Sequence, residues 1–356
     1  MEELNEIQEK PEVTEAETPL DKNVRMMSPT QMLLRRFFRS KLSILGLVMV
    51  IGLFLFCFIG PEIYTKWDRL DLDDSGKLQY DVATVTYEVD GVQYSIKELR
   101  ETTITYNAES APSKEHVLGT DEFGYDILAR LMYGGRTSLL VSFMTVFLLT
   151  LFGVILGGIA GYFGGWADNV IMRICDVLIC IPGIPILLIL STAIDGWVDA
   201  GVKIGDAPIE EWRIYILMAF LTCISWPGTA RLVRGQILSL REQEFMVAAE
   251  AMGFSTSRKI FKHLVPNVMP QLIVQMSLSL GSMILYEATL SYLGMGIKPP
   301  ETAWGSMIEV MSRDTGIISR SPWVWIPAGV CIVIAVLGFN FVGDGLRDAL
   351  DPKGRR

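Results

Sequence analysis

The sequence predicts an all-α integral membrane protein with six transmembrane helices and a small insert containing a β-hairpin. Three observations lead there. Half of the 356 residues are hydrophobic and 32 are glycine, an unusual mixture for a water-soluble chain. Six long uncharged runs are present, at Ser43–Gly60, Thr137–Ala167, Val177–Ile194, Ile214–Ala230, Val265–Tyr286 and Ser321–Gly343. A bilayer-spanning helix needs about 20 apolar residues, and each run is of that order. Charge is also sorted by side, with basic and acidic connections alternating along the chain.

Residues 1–30 are acidic, proline-containing and without apolar period, which predicts a disordered cytoplasmic tail. No basic n-region followed by an apolar core opens the chain, so the first span is expected to be a permanent anchor. With its lead-in, that span occupies residues 31–61. Residues 62–117 form an acidic insert, in which "VATVTYEVDGVQYSI" alternates and turns at Asp90-Gly91. A hairpin alone is marginal, so this one is expected to pack on something larger. Further on, "LGTDEFGYDILARLMYGGRTSLL" offers Thr120 or Asp121 as a cap for a helix with Ile127, Leu128, Leu131 and Met132 on one face. Such a helix suits the outer interface, just before span two. The main body runs from 118 to 347, with a short tail at 348–356.

Pro182, Pro185 and Pro227 fall inside spans three and four and predict kinked packing. Arg35, Arg36, Arg39 and Lys41 precede span one; Arg231, Arg234, Arg241, Arg258, Lys259 and Lys262 lie between spans four and five; Lys353, Arg355 and Arg356 close the chain. With six spans all three groups share one side, the cytoplasm by the positive-inside rule, and both termini lie there. The net charge of −9 carries no nucleic-acid signature. The five cysteines lie in or beside apolar runs without zinc-ligand spacing, and the two histidines, His116 and His263, are far apart, so no metal site is expected.

Residues 244–267, "EFMVAAEAMGFSTSRKIFKHLVPN", are too charged to span and too regular to be a passive loop. Ser239 and Glu242 have capping-box spacing. Phe245, Ala248, Ala249 and Met252 recur at i, i+3, i+4, i+7, one apolar face flattened by alanine. Gly253 is a helix stop, Ser255 or Thr256 caps a second, basic helix, and Pro266 marks its handover to span five. The result, over 239–266, is a helix–glycine–helix elbow. An amphipathic helix resting on lipid would carry more bulky anchors than Phe245 and Met252, so a protein-docking surface fits better.

This stretch resembles the EAA loop of the permease subunits of ATP-binding-cassette importers: EAA, three residues, glycine, nine residues, then I-x-L-P. The matching residues here are Val247-Ala248-Ala249, Gly253 and His263-Leu264-Val265-Pro266; Val247 stands in place of the usual glutamate, and Glu250 lies one turn on. "HVLGTDEFGYDILARLMYGGRTSL", "YEATLSYLGMGIKPPETAWGSMI" and "WVWIPAGVCIVIAVLGFNFVGDGLRDALDPK" are similar to segments of the C-type oligopeptide/dipeptide/nickel branch, with Tyr125 where arginine is common.

The resemblance implies a type I importer fold, one preceding span plus a five-helix core, in a bacterial-type cell membrane. It also implies a coupling site of Glu244, Phe245, Ala248, Ala249, Glu250, Met252, Gly253, His263 and Pro266. The implied partners are a homologous B-type permease, two ATPase subunits carrying ATP and magnesium, an extracytoplasmic substrate-binding protein and membrane lipid. The chain has no G-x-x-x-x-G-K-[ST] loop, so it is expected to bind no cofactor and catalyse nothing itself.

Asp176 and Glu287, at the edges of spans three and five, are candidate substrate-path residues, because charge inside a membrane usually faces a cavity or a partner. The local alternatives are an ion pair of Asp176 with Arg173 and access of Glu287 to interfacial water. Oligopeptide is the expected substrate, with dipeptide, glutathione or nickel as alternatives within the branch. An ATP-independent channel or carrier would call for mid-bilayer charge pairs and matching broken repeats. A scaffold or sensor would make the insert the working part.

Overall fold

The computed structural model describes residues 29–73, 78–89, 92–104, 106–298 and 301–350. The expected N-terminal tail, the Asp90-Gly91 turn and the last six residues lie outside the described residues. In chain order the helices are α1 (Pro29–Phe37), α2 (Lys41–Ile63), α3 (Ile127–Phe163), α4 (Gly165–Cys180), α5 (Gly183–Asp199), α6 (Ile209–Arg241), α7 (Glu244–Ala251), α8 (Thr256–Tyr292), α9 (Trp304–Arg313), α10 (Ile317–Arg320) and α11 (Pro322–Leu350). The strands are β1 (Leu78–Val89) and β2 (Val92–Ile104), with a short pair β3 (Lys203–Ile204) and β4 (Ala207–Pro208) before α6. Helices α2, α3, α6, α8 and α11 are each long and apolar enough to cross a bilayer, and the bent pair α4–α5 makes a sixth crossing when taken together.

Several expectations change. The helix expected to lie at the interface before span two is the first part of the span itself: α3 runs unbroken for 37 residues. At 1.5 Å per residue it is about 55 Å long, well beyond the hydrocarbon core. Asp126, not Thr120 or Asp121, caps it, its Oδ1 accepting from the Ala129 N–H at 2.8 Å. Gly134 and Gly135 do not interrupt the helix; they make room for the backbone of Ala303 and the ring of Trp304.

Span three is broken rather than kinked. Helices α4 and α5 meet at 78° across Ile181-Pro182, because proline cannot continue α4 and disfavours helix at the residue before it. Pro227 and Pro266, in contrast, sit within continuous helices. Upstream of Pro266 a π turn over Lys259–Leu264 absorbs the misfit, with the Val265 N–H donating to the Ile260 carbonyl.

The core is built on close helix contacts. Gly153, Gly157 and Gly161, one every fourth residue, bring α3 against α6. A Cβ on Gly157 would lie 2.3 Å from the Ala230 carbonyl oxygen, and one on Gly153 would lie 2.6 Å from the Thr229 Cβ. Helix α2 meets α11 in the same way, where a Cβ on Gly46 would lie 2.6 Å from that of Phe341.

The insert forms the expected antiparallel pair, Val89 opposite Val92 and Leu78 opposite Ile104, with a register shift at Gln79/Tyr80. Among the described residues this ribbon packs extensively on no other element, contrary to the expected support. Its base is held instead. Buried His116 lies between two carboxylates, Nδ1 at 2.9 Å from Asp126 Oδ2 and Nε2 at 3.2 Å from Asp73 Oδ2. Tyr64 Oη donates to Asp126 at 3.2 Å, Asn107 donates to Asp73 at 2.7 Å, and the Trp67 ring lies tilted over the imidazole at 4.4 Å.

Nearby, Glu109 holds a left-handed φ of +50° while its carboxylate accepts two bonds from Arg320 and one from Ser321. The Arg320 bonds, opposed by partial burial, keep this carboxyl below the usual range. The link is therefore complete above the unfolded carboxylate pKa and lost as pH falls through the depressed folded value. The melting temperature is expected to drop on acidification, and to drop less in Glu109→Gln.

Gly157→Leu is expected to destabilise by more than about 3 kcal/mol, the top of the usual overpacking range, because backbone rather than a movable side chain blocks the site. Gly158→Leu, whose Cβ would meet only the end of Ile237 at 3.7 Å, is the matched control. Monodisperse yield in detergent separates the two; equal yields would contradict the close seam.

Candidate functional site

The elbow follows α6 directly. Helix α6 runs through Ser239 to Arg241, so the expected Ser239/Glu242 capping box does not form. Extended Gln243 starts α7 without a side-chain cap. The other end is fully satisfied. Gly253, at φ +67°, donates its N–H to the Glu250 carbonyl, and the Phe254 N–H reaches the Ala249 carbonyl at 3.1 Å. This is the paired bonding of a Schellman stop, and only a left-handed residue at 253 permits it. Ser255 then caps α8, its Oγ accepting from the Arg258 N–H.

The two faces of α7 differ from the expected single face. Ala249, 1% exposed, turns inward beside Met246. Met246 packs in a cluster with Val233 and Ile237 of α6 and Leu264, Val268 and Leu272 of α8. Phe245, Ala248 and Met252 point out instead, with Glu244, Glu250 and Val247; Val247 and Met252 are 61% and 63% exposed. The small Ala249 side chain lets the short helix lie flat on the ends of two spans. Behind it, Arg258 covers the Phe254 ring at 4.1 Å, and Phe254 stacks on His263 at 5.8 Å. His263 is thus an internal brace, while Pro266 is exposed beyond the π turn. Lys259 links to Glu250 at 3.6 Å.

Asp176 and Glu287 are not brought together. Asp176 pairs with Arg231 of α6 at 2.6 Å, not with Arg173. Glu287 does not reach water: 7% exposed, it accepts from Ser138 Oγ at 3.1 Å and Ser291 Oγ at 2.9 Å. Ser138 in turn accepts from the Trp304 backbone N–H, and the Trp304 indole donates to the Leu131 carbonyl at 2.9 Å. Glu287 therefore ties α8 to α3 and α9. Sequence reasoning missed this tie; the clue was a charge paired in spacing with Ser291, four residues on.

Residues 153–356 match the family described as "binding-protein-dependent transport system inner membrane component", and residues 28–78 match "N-terminal TM domain of oligopeptide transport permease C". The chain belongs to the first family. Among relatives, it is 36% identical to the oligopeptide transport system permease protein OppC of Bacillus subtilis, over 90% of this chain and 88% of that one. It is 35% identical to the dipeptide transport system permease protein DppC of Alkalihalophilus pseudofirmus, over 94% and 93%. A solved chain of the inward-facing MetNI methionine ABC transporter shares 22% identity, with a TM-score of 0.47 over 62% of this chain and 97% of that chain. This permease component is accordingly a multi-pass membrane protein.

Ala249→Trp is expected to overpack the inward face and lower the melting temperature, whereas Ala248→Trp, on the outward face, leaves it unchanged. Differential scanning fluorimetry in detergent distinguishes them; equal shifts would contradict the two-faced helix.

Proposed function

We propose that this chain is the C-type permease subunit of an ATP-driven peptide importer, coupled to its energy source through the 244–266 elbow. The observation that carries the coupling role is the elbow itself: an exposed apolar helix, stopped by a satisfied left-handed glycine and seated on the ends of α6 and α8. Its outward residues, Glu244, Phe245, Val247, Ala248, Glu250 and Met252, offer a compact surface to a cytoplasmic ATPase. Gly253, Ala249, His263 and Pro266 hold its shape.

In this reading both termini and the elbow are cytoplasmic, and the insert faces outward toward a substrate-binding protein. A homologous B-type permease supplies the other half of the passage, and two ATPases hold ATP and magnesium. This chain holds neither and catalyses nothing. ATP binding draws the ATPases together, the elbows follow, and the permease pair opens outward; hydrolysis resets it. The names of the relatives support oligopeptide or dipeptide as the cargo. Lipid contacts the spans, and nucleic acid is not a partner.

A substitution series at Gly253 tests the coupling. A Cβ at this position meets nothing within 4 Å, so only backbone conformation distinguishes the variants. Left-handed geometry costs about 1–2 kcal/mol for ordinary residues and less for asparagine. Peptide uptake by the reconstituted complex should fall in the order Gly, Asn, Ala, Val, with basal ATPase activity retained. Equal uptake by all four would remove the elbow from the transmission path.

A further inference from the structure

A cavity of about 280 Å³ opens between the middle of α6 and the second half of α8, with Leu149 of α3 beside it. Along α8, Gln275, Ser279, Ser282 and Tyr286 recur at i, i+4, i+7, i+11, which puts all four on one stripe. Ser225 and Thr229 of α6 face them across the cavity. Gln275 Nε2 donates to Ser279 Oγ and Ser282 Oγ to the Leu278 carbonyl, each at 3.3 Å, and their remaining hydrogen-bonding capacity faces a space within an apolar span.

The break between α4 and α5 lies at the same place. The Gly183 backbone that opens α5 approaches the Tyr286 hydroxyl so closely that a Cβ there would lie 2.9 Å from it. Irregular backbone at membrane depth is tolerated where it is buried in protein or lines a water-filled space.

The lining contains no ionisable carboxylate, amine, guanidine or imidazole. Several charged groups on neighbouring elements are engaged elsewhere: Asp176 with Arg231, Arg213 and Lys298 with Asp195, Arg234 with Asp168, and Glu287 with Ser138 and Ser291. Hydroxyls and carboxamides both donate and accept, as peptide N–H and C=O groups require, yet they discriminate little between acidic and basic side chains.

We propose that the Gln275–Ser279–Ser282–Tyr286 stripe, with Ser225 and Thr229, is this chain's wall of the passage, and that it meets the backbone of peptides of either charge. The inference rests on the importer reading above. It replaces Asp176 and Glu287 as path residues with a neutral surface. Selection by side-chain charge then lies outside this wall.

The test uses the whole complex in proteoliposomes, with Ala-Ala-Ala, Ala-Lys-Ala and Ala-Glu-Ala as probes. In Ser279→Glu, uptake of Ala-Glu-Ala relative to wild type should fall about tenfold further than uptake of Ala-Lys-Ala, as a like charge in a confined passage predicts. Equal loss of all three, or no loss, would overturn the assignment. A wild-type complex that takes up none of them, and no Ala-Ala dipeptide, would instead overturn the peptide-importer reading.

A second variant guards against misfolding. With the exposed Cys180 and Cys223 replaced by serine, Ser279→Cys should react with a membrane-impermeant cationic methanethiosulfonate and lose uptake. Ile273→Cys, exposed on the opposite side of α8, should not react. An inert Ser279→Cys, or equal reaction at both positions, would also overturn it.

Discussion

The close approach of α3 to α6 is the contact on which the other features depend. Gly153, Gly157 and Gly161 let the two backbones meet where any larger residue would hold them apart. The residues that fill this seam from α6 are Thr229, Ala230, Arg234 and Ile237. Thr229 also lines the cavity, and Ile237 also packs in the cluster that holds Met246 of the elbow. One rigid seam therefore joins the wall of the proposed passage to the surface proposed to receive the ATPase. In a membrane no hydrophobic drive pulls helices together, so such contact must come from packing and polar pairing. Arg234 adds to the packing with a bidentate pair to Asp168 at the start of α4.

Much of the fold was legible in the sequence because the bilayer reduces spanning to a length and an absence of charge. Five of the six apolar runs correspond to helices long enough to cross a bilayer and the third to the bent pair α4–α5, and the Gly253 stop and Ser255 cap follow from local rules that hold in any environment. What failed were judgements that needed a neighbour. Nothing in the residues leading to Thr137 marks where the bilayer begins, so α3 was divided. The effect of a proline depended on context: Pro182 ends a helix, Pro227 does not, and Pro266 is accommodated by a π turn.

The site was legible in position and less so in orientation. Periodicity placed Ala249 on a face with Phe245 and Met252, but an eight-residue helix has only two turns, and the ends of α6 and α8 decide which side is covered. Asp176 and Glu287 drew attention because charge in a membrane is conspicuous. Both have protein partners that a single sequence cannot display. The serine, glutamine and tyrosine stripe on α8 was quieter, since hydroxyls scarcely lower hydropathy. Its spacing of i, i+4, i+7, i+11 was nonetheless readable. Helix α9, whose Trp304 reaches α3, carried no signal strong enough to separate it from a loop.

Elbow, seam and proposed passage wall are expected to move as one body when ATP binds to the partner subunits. Pulsed electron-spin distances test it most directly, with labels on exposed Val247 of the elbow and exposed Phe147 of α3 in a background lacking Cys180 and Cys223. A rigid seam gives the same distance distribution within the chain in nucleotide-free and ATP-trapped complexes, while the distance from Val247 to its counterpart on the second permease changes. A within-chain distance that shifts with nucleotide, at constant distance between the two elbows, would contradict it.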